Sequence, residues 1–269
     1  MTFSVLISVY HRENPEYLRQ AINSIWDDQA LKPNQIVLVK DGPLTFDLNA
    51  VVQDWTKRLD EVMTIVELPQ NVGLGAALNA GLKQCRHELV ARMDTDDIAL
   101  PERFEKQVSF MESNPDIAAS SAILEEWDEN FNSVINIRYL PENHCDIVRL
   151  ARSRSPLSHP LAIFRKDVVL AVGGYPPLWK GQDYALWSLL IKKGYNLANL
   201  PDLLLKMRTG TGLVERRGWE YFKHEAKLLQ FQRSIGFLGF YTFHRNLILK
   251  CALRLSPSLV KRLAYKYAR

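Results

Sequence analysis

Apolar residues along this chain alternate between solid runs and helically spaced stripes. FSVLISVY (residues 3–10) is a mostly apolar, β-branched run, the pattern of a strand covered on both faces. After Asn14-Pro15, a suitable helix start, Leu18, Ala21, Ile22, Ile25 and Trp26 fall on one helical face. The two patterns then recur. QIVLVK (35–40) predicts a second strand, ended by Asp41-Gly42-Pro43, and residues 47–60 predict a helix. A third strand is expected over 63–68 and a fourth over 89–93. Between them GLGAALNAGLKQC (73–85) reads as a small-residue helix lying close against a sheet. Strand and helix repeat every ~30 residues, the span of a βαβ unit. The first hundred residues therefore predict a doubly wound, mainly parallel α/β unit, whose ligands bind beyond the carboxyl ends of the strands.

The pattern loosens in the second half. ASSAILEEW (119–127) and FNSVINIRYL (131–140) predict two strands around a polar turn, and SHPLAIFRK (158–166) a short strand. GQDYALWSLLIKKG (181–194) predicts a helix closed by Gly194. From about residue 216 the chain reads as helical, including SIGFLGFYTF (234–243) and the terminal SPSLVKRLAYKYAR. No repeat or low-complexity segment interrupts it.

Composition narrows the class. A chain of 269 residues, 47% hydrophobic and 24% charged, suits one large α/β domain with a helical appendix. Cys85, Cys145 and Cys251 are scattered and odd in number, which suggests neither a disulfide framework nor a zinc site and fits a reducing cytoplasm. The N-terminus lacks a charged leader region and a cleavage site, so it reads as the first strand and not as a signal peptide. No apolar run approaches the roughly 20 residues that span a bilayer. The net charge of +4 conceals an asymmetry: from Lys206 onward there are 14 Lys/Arg against 3 Glu, leaving the rest acidic. Such a tail suits an anionic surface, lipid headgroups or nucleic acid, or is simply a solvated helical face.

The candidate chemistry lies in ELVARMDTDDIALPERF (88–104), where Asp94, Asp96 and Asp97 crowd the end of a buried strand. Carboxylates on alternate strand positions share a face, and paired hard oxygens suit Mg²⁺ or Mn²⁺. The same Asp and Thr would equally cap a helix starting near Pro101. Asp41 stands on the same rim, fit to hold a base or ribose, or to form an Asp-Gly turn. Gly73 and Gly75 follow a strand and open a helix, as in dinucleotide-binding loops. Leu78 occupies the third glycine's place, however, and close helix–sheet packing accounts for the small residues.

LISVYHRENPEYLRQAINSI, VLVKDGP, NVGLGAALNAGL, ARMDTDDIALPERFEKQV and GQDYALW, in this order from residue 3 to about 230, resemble the successive blocks of family 2 glycosyltransferases. The resemblance is strongest to bacterial enzymes that build O-antigens, capsules or exopolysaccharides, the amylovoran type included. It implies a GT-A fold, with a catalytic domain over 1–215 (nucleotide-binding half 1–100, acceptor half 101–215) and a basic helical extension over 216–269. It also implies inverting transfer of a hexose, galactose or glucose, from a UDP-sugar to a polyprenyl-diphosphate-linked glycan in a β-linkage. Carried over by block, Asp41 contacts the base, Asp94 lies near the ribose, and Asp96 ligates a Mn²⁺ or Mg²⁺ that bridges the diphosphate, with Asp97 behind it. Asp183 is the base that deprotonates the acceptor; Gln182 stands where relatives usually carry Glu. Asn71, Gly73, His159, Gln182 and Arg216 are candidate donor or acceptor contacts. Arg92 is left unassigned, its face depending on register.

Phe237, Phe240, Tyr241 and Phe243, beside the basic helices, suit docking on an anionic membrane or packing on the core. The expected location is the inner face of the cell membrane, with no nucleic acid partner. A nucleotidyltransferase would show a glycine-rich phosphate loop after the first strand, which VYHRENPEYL lacks. A non-catalytic nucleotide or nucleic-acid binding module is the other alternative; the acids on the rim argue against a groove that tracks a nucleic-acid backbone there.

Overall fold

Four strands with three intervening helices build one half of the sheet in the order the apolar pattern anticipates. In the computed structural model, which describes residues 2–209 and 218–256, β1 (Phe3–Val9), α1 (Pro15–Trp26), β2 (Gln35–Lys40), α2 (Phe46–Leu59), β3 (Met63–Glu67), α3 (Leu74–Leu82) and β4 (Leu89–Met93) succeed one another. All four strands are parallel, in spatial order β3-β2-β1-β4. Alternation along β1 sorts its side chains between two layers. Phe3, Val5, Ile7 and Val9 pack with α1 and α2, whereas Leu6 packs with α3. At the start of α1 the Asn14 side chain accepts from the Glu16 N–H at 2.8 Å, with Pro15 at the first helical position.

The remaining elements are β5 (Ile98–Ala99), α4 (Arg103–Ser113), β6 (Ile117–Trp127), β7 (Val134–Arg138), α5 (His144–Ala151), β8 (Ile163–Arg165), α6 (Lys166–Ala171), α7 (Gln182–Lys192), β9 (Asn196–Arg208), α8 (Trp219–Ser234) and α9 (Phe240–Leu255). β8 runs antiparallel to β4 and β6, β9 is parallel to β6, and β5 closes the edge antiparallel to β9. The result is a mixed nine-stranded sheet in which the parallel direction predominates. α4 joins the layer of α1 and α2, while α5, α6 and α7 join that of α3.

Several elements differ from the sequence expectation. Of residues 158–166 only 163–165 are strand, because 159–161 form a 3-10 turn. β7 is shorter than 131–140: the Asp128 carboxylate accepts from the Asn130 and Asn132 N–H groups and the Ser133 hydroxyl, holding that stretch as a turn. β9 was not anticipated. A Pro-Asp pair ordinarily interrupts a strand, yet β9 carries Pro201 and Asp202 as a bulge, since Ala122 pairs with Leu200 and Ile123 with Leu203. Residues 234–243 are not one helix. α8 stops at Ser234, the Phe237 and Leu238 N–H groups donate back to the Gln232 carbonyl, and α9 begins afresh at Phe240. Arg216 and the terminal helix expected to 269 lie outside the described residues, Ser256 apart. Among the described residues no helix is long and apolar enough to cross a membrane.

The small-residue face of α3 is seated close to the sheet. A Cβ on Gly81 would stand 2.5 Å from both Leu6 Cδ1 and Val39 Cγ2. Alanine is worth up to about 1 kcal/mol over glycine inside a helix, whereas overpacking costs about 1–3 kcal/mol. Gly81→Ala is therefore expected to lower the unfolding free energy measured in urea; a gain would mean that α3 is seated more loosely.

Candidate active site

Loops leaving the carboxyl ends of β1 to β4 wall a cavity of about 610 Å³. Tyr10, Arg12 and Glu13 come from the loop after β1, Asp41 from the end of β2, and Asn71 and Gly73 from the loop after β3. Arg92, Asp94 and Asp96 come from β4 and its exit, and Trp179 and Lys180 approach from the segment before α7. Parallel pairing causes this convergence, because every strand of the half-sheet releases its chain on the same edge.

β4 carries the strongest charges. Arg92 is wholly buried on the same face as Asp94, as the period of two requires, so its unassigned register resolves into the site. Its Nη2 pairs with Asp94 Oδ1, its Nη1 donates to the Leu6 carbonyl at 3.2 Å, and its Nε has no partner. Asp97 is buried beneath the rim, with Oδ1 accepting from the Arg208 N–H at 2.9 Å and Oδ2 unpartnered. Burial, then the neighbouring Asp96 and Asp94, hold its carboxyl well above the usual range. Asp96 faces the cavity, and burial followed by repulsion from Asp94 pushes it up to about 6. Glu13, also on the cavity, is raised to about 7 by burial and then by Asp96.

The Arg208 guanidinium braces this loop from outside. It lies 3.6 Å from the Tyr17 ring centre and 4.1 Å from that of Phe131. It donates to the Asp96 carbonyl at 3.0 Å, to Gln20 Oε1 at 3.1 Å and to the Glu129 carbonyl.

Among the described residues no three His, Cys, Asp or Glu side chains converge as ligands of one ion. A divalent cation held by one or two carboxylates, its shell completed by phosphate oxygens and water, still fits these residues. Asp96 and Glu13 are hard oxygen donors, and burial first, then a neighbouring acid (Asp94 for Asp96, Asp96 for Glu13), disfavours their charged forms.

Asp41 is buried, and its carboxylate accepts from the Val72 N–H at 2.7 Å and the Gly73 N–H at 3.2 Å. Asn71 donates to the Asp41 carbonyl at 3.4 Å. Gly73 has φ +87°, and a Cβ there would meet the Trp179 ring at 3.0 Å. The missing side chain thus serves both the turn and the indole above it.

Asp183 is not in the first cavity's wall. It lines a neighbouring one of about 290 Å³ at the start of α7, and Lys180 stands in the wall of both. Gln182 is buried with Oε1 unpartnered. His159 is buried below, its Nε2 3.1 Å from the Tyr175 hydroxyl. Burial, then the Arg92 charge, lowers it to about 4, so it is neutral.

Sequence reasoning missed Glu13, Arg92, Trp179, Lys180 and Arg208. The alternation of β4 could have found Arg92, and the adjacency of β1 and β4 in a parallel sheet could have flagged YHRE. Lys180 and Arg208 carry no local signal, because only tertiary packing brings them here.

A mainly parallel sheet with an acidic carboxyl-end rim around a roomy cavity, followed by C-terminal helices, is the GT-A architecture of nucleotide-sugar transferases. Residues 4–173 match the model for glycosyl transferase family 2. The chain is 43% identical over 265 residues to the amylovoran biosynthesis glycosyltransferase AmsE of Erwinia amylovora, covering 98% of each chain. It is 34% identical to the UDP-Gal:alpha-D-GlcNAc-diphosphoundecaprenol beta-1,3-galactosyltransferase of Escherichia coli, covering 98% of this chain and 95% of that one. The mannosyltransferase PcManGT from Pyrobaculum calidifontis, solved with GDP-Man and Mn²⁺, shares the fold at a TM-score of 0.62 and 19% identity, over 99% of this chain and 75% of that one. The chain belongs to glycosyl transferase family 2 and is a glycosyltransferase.

The depressed His159 carries a pH signature. Folded, it stays neutral down to about 4, while the unfolded chain protonates near 6.5, so its share of stability is complete above 6.5 and lost as pH falls towards 4. His159→Gln, which can still bond Tyr175, is expected to flatten the rise of unfolding free energy between pH 4 and 6.5 by on the order of 2–3 kcal/mol. An unchanged slope in urea titrations across that range would contradict a buried neutral imidazole.

Proposed function

We propose that this glycosyltransferase moves a hexose, galactose or glucose, from a UDP-sugar to a polyprenyl-diphosphate-linked glycan, with inversion at the anomeric carbon, during assembly of a bacterial surface polysaccharide. The observation that carries this reading is the adjacency of two cavities, one rimmed by Glu13, Asp94 and Asp96, the other by Asp183, with Lys180 in both walls. Inverting transfer needs the leaving diphosphate on one side of the reacting carbon and the acceptor oxygen on the other. The relative named for UDP-Gal and a diphosphoundecaprenol-linked GlcNAc supports the donor and acceptor classes.

Asp41 lines the donor cavity and, beyond its two backbone donors, keeps lone pairs for an N–H of the base. Asp94, fixed by Arg92, faces the ribose, and Trp179 covers the cavity from above Gly73. A Mn²⁺ or Mg²⁺ held by Asp96 would neutralise the charge that develops on the leaving diphosphate. Asp183 accepts the acceptor hydroxyl's proton as that oxygen bonds to the anomeric carbon and the bond from that carbon to the diphosphate oxygen breaks. Gln182 beside it adds no second charge.

α9 supports a lipid surface as the working location. Its polarity is inverted: Asn246 and Arg254 are buried, whereas Tyr241, Ile248 and Leu249 are 87%, 67% and 60% exposed. Of the four aromatics singled out from sequence, Phe240 and Tyr241 stand in water and Phe237 and Phe243 are half-buried. Exposed apolar side chains on a strongly basic segment match an anionic bilayer interface.

Asp183→Asn should leave UDP affinity within about twofold while transfer falls roughly 10²- to 10⁴-fold; near wild-type turnover would remove Asp183 as the base. Ile248→Glu with Leu249→Glu should weaken co-sedimentation with phosphatidylglycerol vesicles by about tenfold or more. Undiminished vesicle binding would assign membrane contact elsewhere.

A further inference from the structure

The glycine pair that opens α3, Gly73 and Gly75, serves as a seat. The segment leading into α7, with that helix's first residue, lies on both glycines. A Cβ on Gly73 would stand 3.0 Å from Trp179 Cζ3 and 3.2 Å from its Cε3. One on Gly75 would stand 3.2 Å from Gln182 Cγ and 3.6 Å from the Pro176 carbonyl oxygen. Side chains at either position would lift this segment, so the two glycines fix where Trp179 stands. That place is the Asp41 end of the donor cavity. The Gly73 N–H donates to the Asp41 carboxylate at 3.2 Å while the indole rests on the same glycine, so carboxylate and ring are neighbours across one residue. Trp179 lines this cavity and not the one beside Asp183. Among the described residues its side chain makes no hydrogen bond, ring stack or cation contact, and it is 63% exposed. The fold holds the indole in place and leaves its surface open.

We propose that Trp179 is a donor-binding residue, its indole stacking on the nucleobase whose N–H Asp41 accepts. The proposal rests on the nucleotide reading of the cavity given above; the place of the ring rests on the glycine seat. A flat apolar ring beside a carboxylate matches the two features of such a base, a π-face and a polar edge. The two residues divide the work. Every base has a π-face, so the indole supplies affinity, whereas the Asp41 carboxylate, an acceptor only, selects a base that presents an N–H. The glycine pair is thereby explained without a dinucleotide: it makes room for the protein's own aromatic ring. One segment then carries a donor contact at Trp179 and, in the first turn of α7, the proton acceptor Asp183.

The test titrates the full chain in Mn²⁺ with UDP, UDP-galactose and inorganic pyrophosphate. Wild type is compared with Trp179→Ala and Trp179→Phe, their fold checked by thermal melting. Trp179→Ala is expected to weaken UDP and UDP-galactose alike, by roughly 5- to 100-fold, and Trp179→Phe, which keeps a ring, by less. Pyrophosphate has no base and is expected to bind all three proteins equally. UDP held as tightly by Trp179→Ala as by wild type would overturn the proposal and leave the nucleotide reading of the cavity standing. A loss confined to UDP-galactose would also overturn it, putting the indole on the sugar. So would an equal loss for pyrophosphate, which would make Trp179 a wall of the cavity as a whole. Wild type that binds UDP no more tightly than pyrophosphate would contradict the nucleotide reading itself, and the proposal with it.

Discussion

The ion pair between Arg92 and Asp94 is the interaction on which the site depends. Asp94, Asp96 and Asp97 leave one buried strand within four residues, and three like charges there would push the loop apart. Arg92, fully buried beneath them, fixes Asp94. The backbone of Arg208 holds Asp97, and its stacked guanidinium holds the Asp96 carbonyl. Such a pair adds little net stability once desolvation is counted, but removing Asp94 would leave the buried Arg92 charge without its partner. Its value here lies in geometry: one carboxylate is neutralised, one is buried, and Asp96 is left with Glu13 facing the cavity in want of a cation.

That arrangement follows from the sheet. β1, β2, β3 and β4 are parallel and adjacent, so their exits share one edge and Glu13, Asp41, Asn71 and Asp94 meet without any being near another in sequence. The later half of the chain adds what one α/β unit lacks. β8 extends the sheet beside β4, β6 and β9 carry it further, and the approach to α7 and its first turn bring Trp179, Lys180 and Asp183 to the same edge. α8 and α9 then close the second cavity. The first cavity is thus built from strand exits, and the second from helices packed over them.

Much of this was legible in the residues, for identifiable reasons. Buried parallel strands are apolar on both faces, so β1, β2 and β4 stand out as runs, and acids that end such runs point to a ligand edge. The five ordered blocks then tie Asp41, Asp94, Asp96 and Asp183 to one enzyme family. β9 was hidden because Pro201-Asp202 interrupts a strand that tolerates them as a bulge. The break between α8 and α9 was hidden because Phe237, Leu238 and Phe240 continue an apolar pattern across a turn. Arg208 and Lys180 were hidden because their partners lie far away in sequence, Gln20 and Tyr17 for the first and Tyr221 for the second.

The central claim is that the acidic rim takes a divalent cation together with a nucleoside diphosphate. Calorimetric titration of the protein with UDP, in Mn²⁺ and in EDTA, tests it most directly, with GDP and dTDP as comparators. The predicted result is tight UDP binding that requires the metal, with protons released near pH 6 as Asp96 and Glu13 give theirs up. Equal UDP affinity in Mn²⁺ and in EDTA would contradict it, and the crowded carboxylates would then be a feature of the loop alone.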